Sequence, residues 1–83
     1  MARHLNTPKF NWQNVGTDTY WLYGSDSRYL GHVGRSMAGG WIWHKAGAAF
    51  TQEAMQARLW GVEQKLTTAK VMLGRACGLV LAD

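Results

Sequence analysis

The sequence has one cysteine, Cys77, and no apolar run of about 18 residues, the length that a membrane-spanning helix needs. A single cysteine excludes a disulfide within the chain and favours a reducing compartment, so we expect a cytoplasmic protein. The first residues, MARHLNTPKFNW, lack the apolar core of a secretory signal peptide. Exported and membrane-embedded classes of protein are therefore not expected.

Charged residues are also scarce: they make up 17% of the 83 residues, with nine Lys and Arg against five Asp and Glu. The net charge of +4 favours an acidic partner or nucleic acid without demonstrating either. A chain of this length forms one domain and buries only about 60% of its unfolded surface. Association with another chain is therefore an expected supplement to its stability.

The chain lacks the residue spacings that mark metal and catalytic sites. Its histidines and cysteine show no CxxC, HxxxH or HExxH spacing, although His32 and His44 would be cross-strand neighbours if the hairpin register permits. There is no G-x-S-x-G elbow or phosphate-binding glycine loop, and the carboxylates fall in turn sequences or on the predicted helix. We therefore predict that the protein is not an enzyme and has no catalytic residues, bound metal or cofactor.

Tryptophan is the residue that the sequence has in excess, with five in 83 residues. Large aromatic side chains fill the core of a small domain and also anchor interfaces. Residues 10–45 alternate in the manner of strands, and clusters of Gly, Ser and Asp predict turns at 16–18, 24–27 and 36–40. Three or four short strands are predicted within 10–45, and residues 1–9 are interpreted as a flexible basic arm.

The predicted strands do not show which face of the sheet is buried. Aromatic residues occur on both faces, so alternation alone does not assign the core face. The strand YLGHVGR contains two interior glycines, Gly31 and Gly34, which either weaken a strand or let another backbone or a large ring lie close to it.

After the strands, apolar residues recur at intervals of four and three along a predicted helix of residues 52–73. Thr51 is a suitable N-cap, and Gly74 is a natural C-cap. The apolar stripe consists of Met55, Leu59, Val62, Leu66, Ala69 and Leu73. The pattern predicts an α+β fold over residues 10–83, in which a three- or four-stranded antiparallel β-meander packs against one long C-terminal α-helix.

Two interpretations of this stripe remain open: it lies on the sheet, as a single helix must in a two-layer domain, or it forms a seam between two chains. A helix of about 22 residues is roughly 33 Å long, whereas a strand of five or six residues covers about 17–20 Å. The end of the helix and the short apolar tail, 74–83, would then extend beyond the sheet. A homodimer is therefore expected. Its candidate self-association residues are Leu66, Ala69, Leu73 and Val80.

Basic residues flank the predicted strands and are interleaved with aromatic ones. This mixture suits nucleic acid, because arginine contacts phosphate and rings stack on bases. It suits a protein interface equally, because Trp, Tyr and Arg are enriched at binding hot spots. Some of the rings must instead fill the core. The candidate partner-binding residues are Arg28, Arg35, Trp41, Trp43, Lys45 and Trp60.

The segments YWLYG, YLGHVGR, GWIWH and FTQEAMQARLW, within residues 10–70, resemble small β-sheet-plus-helix proteins encoded by bacteriophages. Proteins of this kind are often host-takeover or anti-defence factors, including anti-CRISPR proteins, which act by binding a host complex. Residues 43–60 also resemble the last strand and helix of AP2-type and integrase-arm DNA-binding domains. Tyr and Trp stand here where those domains carry basic residues that read bases, and neither resemblance assigns a functional residue.

These features favour a phage-encoded, non-catalytic protein that binds a host protein or ribonucleoprotein, such as a CRISPR effector, in the host cytoplasm and inhibits it by steric occlusion. The alternative is a sheet-based nucleic-acid-binding protein that uses Arg28, Arg35 and Lys45 on phosphates. Each phosphate contact would add close to one unit to the salt dependence of binding. A purely structural, self-assembling subunit is a third hypothesis.

Overall fold

The computed structural model describes residues 10–78, which form one antiparallel sheet and two helices. The strands are β1 (Phe10–Gly16), β2 (Thr19–Gly24), β3 (Tyr29–Arg35), β4 (Trp41–Lys45) and β5 (Trp60–Glu63). The helices are α1 (Gln52–Gln56), which lies between β4 and β5 in the chain, and α2 (Leu66–Ala76). Each strand pairs with its neighbour in the chain, so the sheet order is β1-β2-β3-β4-β5.

The predicted α+β class is confirmed, with five antiparallel strands in place of three or four and a C-terminal helix that is short. The basic arm predicted for residues 1–9 lies outside the described residues. Within the described part of the chain, neither helix has the length and apolar character needed to cross a membrane.

The connections between the first four strands are turns at the places that Gly, Ser and Asp predicted. Asp18 and Ser27 have positive φ angles of 60° and 65°, in the turns before β2 and β3. The Asp26 carboxylate accepts a hydrogen bond of 3.1 Å from the backbone N–H of Arg28, and the Ser36 hydroxyl accepts one in the turn before β4. Local hydrogen bonds of this kind compete well with regular structure and set where each strand ends.

The two faces of the sheet differ in what covers them. Strand alternation places Leu22, Val33 and Trp43 on the face against which α2 packs. Together with Ala69 and Leu73 of α2 they form the buried core. We call this side of the sheet the helix face, and the opposite side, which α2 leaves uncovered, the open face.

Glycines on the helix face let large groups lie close to the sheet. A Cβ atom at Gly31 would collide with the carbonyl oxygen of His44 and would lie 2.8 Å from Cδ1 of Leu73. A Cβ atom at Gly61 would lie 2.9 Å from the ring of Trp43. The expectation that an interior glycine admits a neighbouring backbone or side chain is therefore confirmed at Gly31.

The single helix predicted over residues 52–73 is wrong. The Thr51 hydroxyl caps α1 as expected, accepting a hydrogen bond of 3.1 Å from the N–H of Ala54. Arg58 then takes a φ of 62°, which ends the helical path, and β5 pairs with β4 so that Gly61 lies opposite Trp43. A strand at this place buries the Trp43 ring against a residue without a side chain, and this tertiary packing outweighs the apolar spacing in the sequence.

The end of α2 also differs from the expected helix end at Gly74. Gly74 is buried inside α2, which continues to Ala76. Gly78 follows the capping residue Cys77 with a φ of 77°, the left-handed conformation in which a glycine commonly ends a helix.

The residues predicted for self-association belong to the core instead. Ala69 and Leu73 are fully buried, and Leu66 packs against the core cluster. Val80 lies outside the described residues. The stripe on α2 therefore lies on the sheet, which is the first of its two interpretations. Since α2 has 11 residues, or about 16 Å, it does not outrun the strands, and that reason for expecting a homodimer is removed.

Candidate binding face

A line of four rings crosses the open face from β2 to β5. Strand pairing places Trp21 opposite His32, His32 opposite His44, and His44 opposite Trp60. The side chains of directly opposed residues lie on the same face of a sheet. This line of rings therefore runs at right angles to the strands and is about 14 Å long, given the usual spacing between strands.

Three more rings extend this line of four into a longer aromatic row. Tyr29 contacts Trp21 at 5.6 Å and Tyr23 at 5.9 Å between ring centroids, both edge to face. At the other end Phe50, from the connection between β4 and α1, stacks on His44 at 4.2 Å. We define the aromatic row by its seven members: Trp21, Tyr23, Tyr29, His32, His44, Phe50 and Trp60.

Hydrogen bonds hold the row in place. The Nε2–H of His44 donates to the carbonyl oxygen of Ala48 at 2.6 Å, and the indole N–H of Trp60 donates to the carbonyl oxygen of Thr51 at 2.8 Å. Both bonds tie the β4–α1 connection, which carries Phe50, to the open face. The row is thus a preorganised surface rather than a set of independent side chains.

The open face concentrates exposed apolar surface. Of the eight large hydrophobic residues that are exposed in the described chain, four belong to it: Trp21, Tyr29, Phe50 and Val62. Phe50 is 59% exposed and Val62 is 48% exposed. In an antiparallel sheet with one face on the core, the other face is ordinarily polar. A contiguous apolar surface on that side is typical of an interaction site.

The described strand positions on the open face carry no Asp, Glu, Lys or Arg. The polar groups there, apart from the two histidines, are neutral: amides on β1, the hydroxyl of Thr19 and the phenol hydroxyls of Tyr23 and Tyr29. The cations lie on the other side: Lys70 covers the rings of Trp12 and Tyr20 at 5.0 and 4.4 Å. Arg58 and Arg75 line a cleft there with Trp43, and Arg58 also lines a cleft with Trp60 and Val62 at the β5 edge of the sheet. The sheet therefore has a basic helix face and a neutral, aromatic open face.

The structure does not bring the predicted basic residues together with the aromatic row. Arg28 is exposed in a turn and lies 3.7 Å from Asp26. Arg35 lies over the ring of Trp41 on the helix face and 3.8 Å from Asp18. Lys45 also belongs to the helix face, opposite Gly31.

Of the three predicted tryptophan anchors, only Trp60 belongs to the open face. Trp43 is 2% exposed and is a core residue, so its prediction as a partner-binding residue is wrong. Trp41 is half-buried and packs against the core on the helix face. The sequence predicted His32 and His44 as cross-strand neighbours, and the strand register confirms this pairing, but it did not assign them to a binding surface and did not single out Phe50. The available signal was the spacing of Trp21 and Tyr23, which are two residues apart and therefore lie on the same face of a strand. The strand register is needed to show which other rings share that face.

His32 is the titratable group at the centre of the row. Burial lowers its pKa, and the neighbouring His44 lowers that pKa further. The Tyr29 hydroxyl and Nδ1 of His32 share a hydrogen bond of 3.1 Å. Burial likewise raises the pKa of the Tyr29 hydroxyl, and Tyr23 adds to this shift. Both shifts favour the neutral forms of His32 and Tyr29 at neutral pH.

We expect acidification to destabilise the fold through His32. Below the ordinary histidine pKa of about 6.5, the unfolded chain binds a proton that folded His32 resists, so the free energy of unfolding falls as the pH drops. The test is urea unfolding at pH 7.5 and 5.5 of the wild type and His32→Gln, which keeps a polar side chain. A smaller fall in the variant is expected, and an equal fall in both proteins would contradict this role.

The described residues offer little for metal or nucleophilic chemistry. Within residues 10–78 no group of three or more His, Cys, Asp and Glu side chains lies close enough together to hold a metal ion. Burial raises the pKa of the Cys77 thiol, although Lys45 partly offsets this shift. The thiol is therefore not activated as a nucleophile. What the geometry offers is a surface for contact.

Comparison with protein-family models, with curated proteins and with solved structures gave no match to this chain.

Proposed function

We propose that this protein is a non-catalytic binding protein whose open face docks onto another protein and blocks part of its surface. The observation that supports the proposal is the aromatic row on a sheet face that α2 leaves uncovered. Its seven rings form two groups in contact, which the Tyr29–His32 hydrogen bond joins, and further hydrogen bonds hold the row to the backbone. Tryptophan and tyrosine in such a setting are the residue types that dominate binding energies at protein interfaces.

The chemistry of the row indicates what kind of protein surface it binds. A charged group pressed against these rings would lose its hydration without gaining an ion pair, which is costly. The centre of the partner's surface should therefore be apolar and uncharged. The partner class that we propose is the one implied by the resemblance to phage accessory proteins. It is a host protein or ribonucleoprotein, such as a CRISPR effector, bound in the host cytoplasm and inhibited by steric occlusion.

Single-stranded nucleic acid is the alternative ligand for an aromatic sheet face. Binding of that kind combines stacked rings with cations that follow the phosphates. Here Lys70 and Arg75 lie on the helix face, Arg58 lines a cleft with Trp60 at the β5 edge of the sheet, and the guanidinium of Arg28 lies beside a carboxylate. Of these four cations only Arg58 adjoins the aromatic row, so the rings lack the series of cations that would follow a chain of phosphates, which favours a protein partner.

The proposal predicts that a charge on the open face abolishes capture of the partner. Val62→Lys places an ammonium group on the open face beside Trp60, whereas Val71→Lys makes the same change on α2, where the valine is similarly exposed. In affinity capture from host lysate, we expect the wild type and Val71→Lys to retain the same partner protein. Val62→Lys should retain at least tenfold less of it, because the desolvation cost exceeds about 1.4 kcal/mol.

Equal retention by both lysine variants would contradict the proposal. So would tight binding of a bare oligonucleotide that fades steeply between low and physiological salt, since that behaviour marks phosphate contacts. Urea unfolding of the two variants provides the control, because both must be folded for the comparison to count.

A further inference from the structure

The central buried cluster lies between the helix face and α2. Every residue of this cluster belongs to that one layer, and the cluster is small: Leu22, Val33, Trp43, Ala69 and Leu73. The open face carries a second set of apolar side chains, including Trp21, Ile42 and Val62. Within the described residues α2 leaves this face uncovered, and the β4–α1 connection reaches it at His44 and Trp60. An antiparallel sheet that is apolar on both faces is typical of a sheet covered on both sides.

The distribution of charge indicates which protein can cover the open face without a specially matched surface. The chain carries a net charge of +4, so two copies repel each other when their charged surfaces meet. Arg58, Lys70 and Arg75 make the helix face unsuitable for contact between copies. The open face is the surface where two copies meet without placing like charges together, because its strand positions hold no charged side chain in the described residues.

We propose that two copies of this chain pair open face to open face, forming a two-fold symmetric dimer with the layer order helix, sheet, sheet, helix. The inference rests on the proposed function, in that it takes the open face to be a protein-binding surface, and it names a second copy as an occupant. A two-fold interface uses the same patch on both subunits, so an aromatic, uncharged patch is complementary to itself.

The geometry also bounds the strength of this pairing. Five strands at the usual spacing and four to seven residues each give the open face a footprint of about 19 by 20 Å. Sheets packed face to face interdigitate their side chains at a separation of about 10 Å. A footprint of this size is small for a permanent interface, so we expect dissociation in the micromolar range. Another protein with a better-fitting apolar surface would then displace the second copy.

The test is sedimentation velocity of the purified full chain between about 2 and 200 µM at pH 7.5, a range that brackets micromolar dissociation. We expect the apparent mass to double with concentration for the wild type and for Val71→Lys, and Val62→Lys to need at least tenfold more protein for the same association. Phe50→Ala, which removes an exposed ring without adding charge, is expected to weaken association as well. A second open-face variant keeps the test decisive if Val62→Lys fails to fold.

A wild-type chain that stays monomeric at the highest concentration overturns the dimer, as does equal association of Val62→Lys, Phe50→Ala and Val71→Lys. The two proposals fail separately. A monomer whose capture of another protein still depends on Val62 leaves the proposed function standing without the dimer. A dimer that depends on Val62 but captures no other protein leaves the dimer standing without the proposed function.

Discussion

Replacing Trp43 by alanine should lower the free energy of unfolding by about 3–5 kcal/mol, as is typical for a buried tryptophan. The Trp43 side chain is 2% exposed, its ring lies against Gly61, and its indole N–H donates to the carboxylate of Glu63 at 3.2 Å. Removing it leaves a cavity under α2 and an unpaired carboxylate. Small domains unfold at a cost of only about 5–15 kcal/mol, so this variant should be partly unfolded at room temperature or just above it.

The measurement is urea unfolding followed by circular dichroism, with Trp21→Ala as the matched control. Trp21 has 39% of its surface exposed and contacts other rings on the open face. Its loss should therefore cost about 1 kcal/mol, the value of an aromatic pair. If the two alanine variants lost the same stability, the assignment of helix face and open face would be wrong.

Replacing Gly31 by alanine is the second change from which we expect a large effect. The added Cβ would collide with the carbonyl oxygen of His44 on the paired strand and press on Leu73. The carbonyl belongs to the backbone of β4, so β3 and β4 must separate or α2 must shift. We expect a loss of about 3 kcal/mol, the upper end of the usual range for overpacking.

Gly34 provides the control within the same strand. A Cβ at Gly34 meets nothing within 4 Å, so Gly34→Ala should leave the urea midpoint nearly unchanged or raise it, because alanine reduces the freedom of the unfolded chain. Thermal unfolding followed by circular dichroism gives a second readout, and the two alanine variants should differ by more than 10 °C at about 4–8 °C per kcal/mol. Equal melting temperatures would show that the close approach at Gly31 is not a constraint.

The sequence predicted the features that depend on local chemistry. The turns before β2, β3 and β4 fall where Gly, Ser and Asp cluster, because these residues adopt positive φ or bond to their own backbone. Thr51 caps α1 as expected, because an N-cap needs only a side-chain oxygen within reach of the first turn. Such features are visible in a few consecutive residues.

The features that the sequence did not predict depend on contacts between distant residues. The spacing of Met55, Leu59 and Val62 matches a helix, yet Gly61 lies between them because Trp43, 18 positions earlier, needs space at that point. A glycine in the middle of a predicted helix lowers the stability of the helix by about 1 kcal/mol. Gly61 was therefore the local sign in the sequence that the helix is interrupted. The aromatic row was hidden for the same reason, since its members come from four strands and a loop whose register the sequence alone does not set.

The simple strand order of the sheet has a consequence for how the chain folds. Each of the five strands pairs with the strand next to it in the chain, so the first four strands assemble by closing short turns and β5 by closing the longer connection that contains α1. Proteins dominated by such local pairings fold quickly for their class. The long-range step is the docking of Leu73 onto Gly31. During synthesis α2 leaves the ribosome after all five strands, so any sheet that forms before then lacks the helix that covers its core residues.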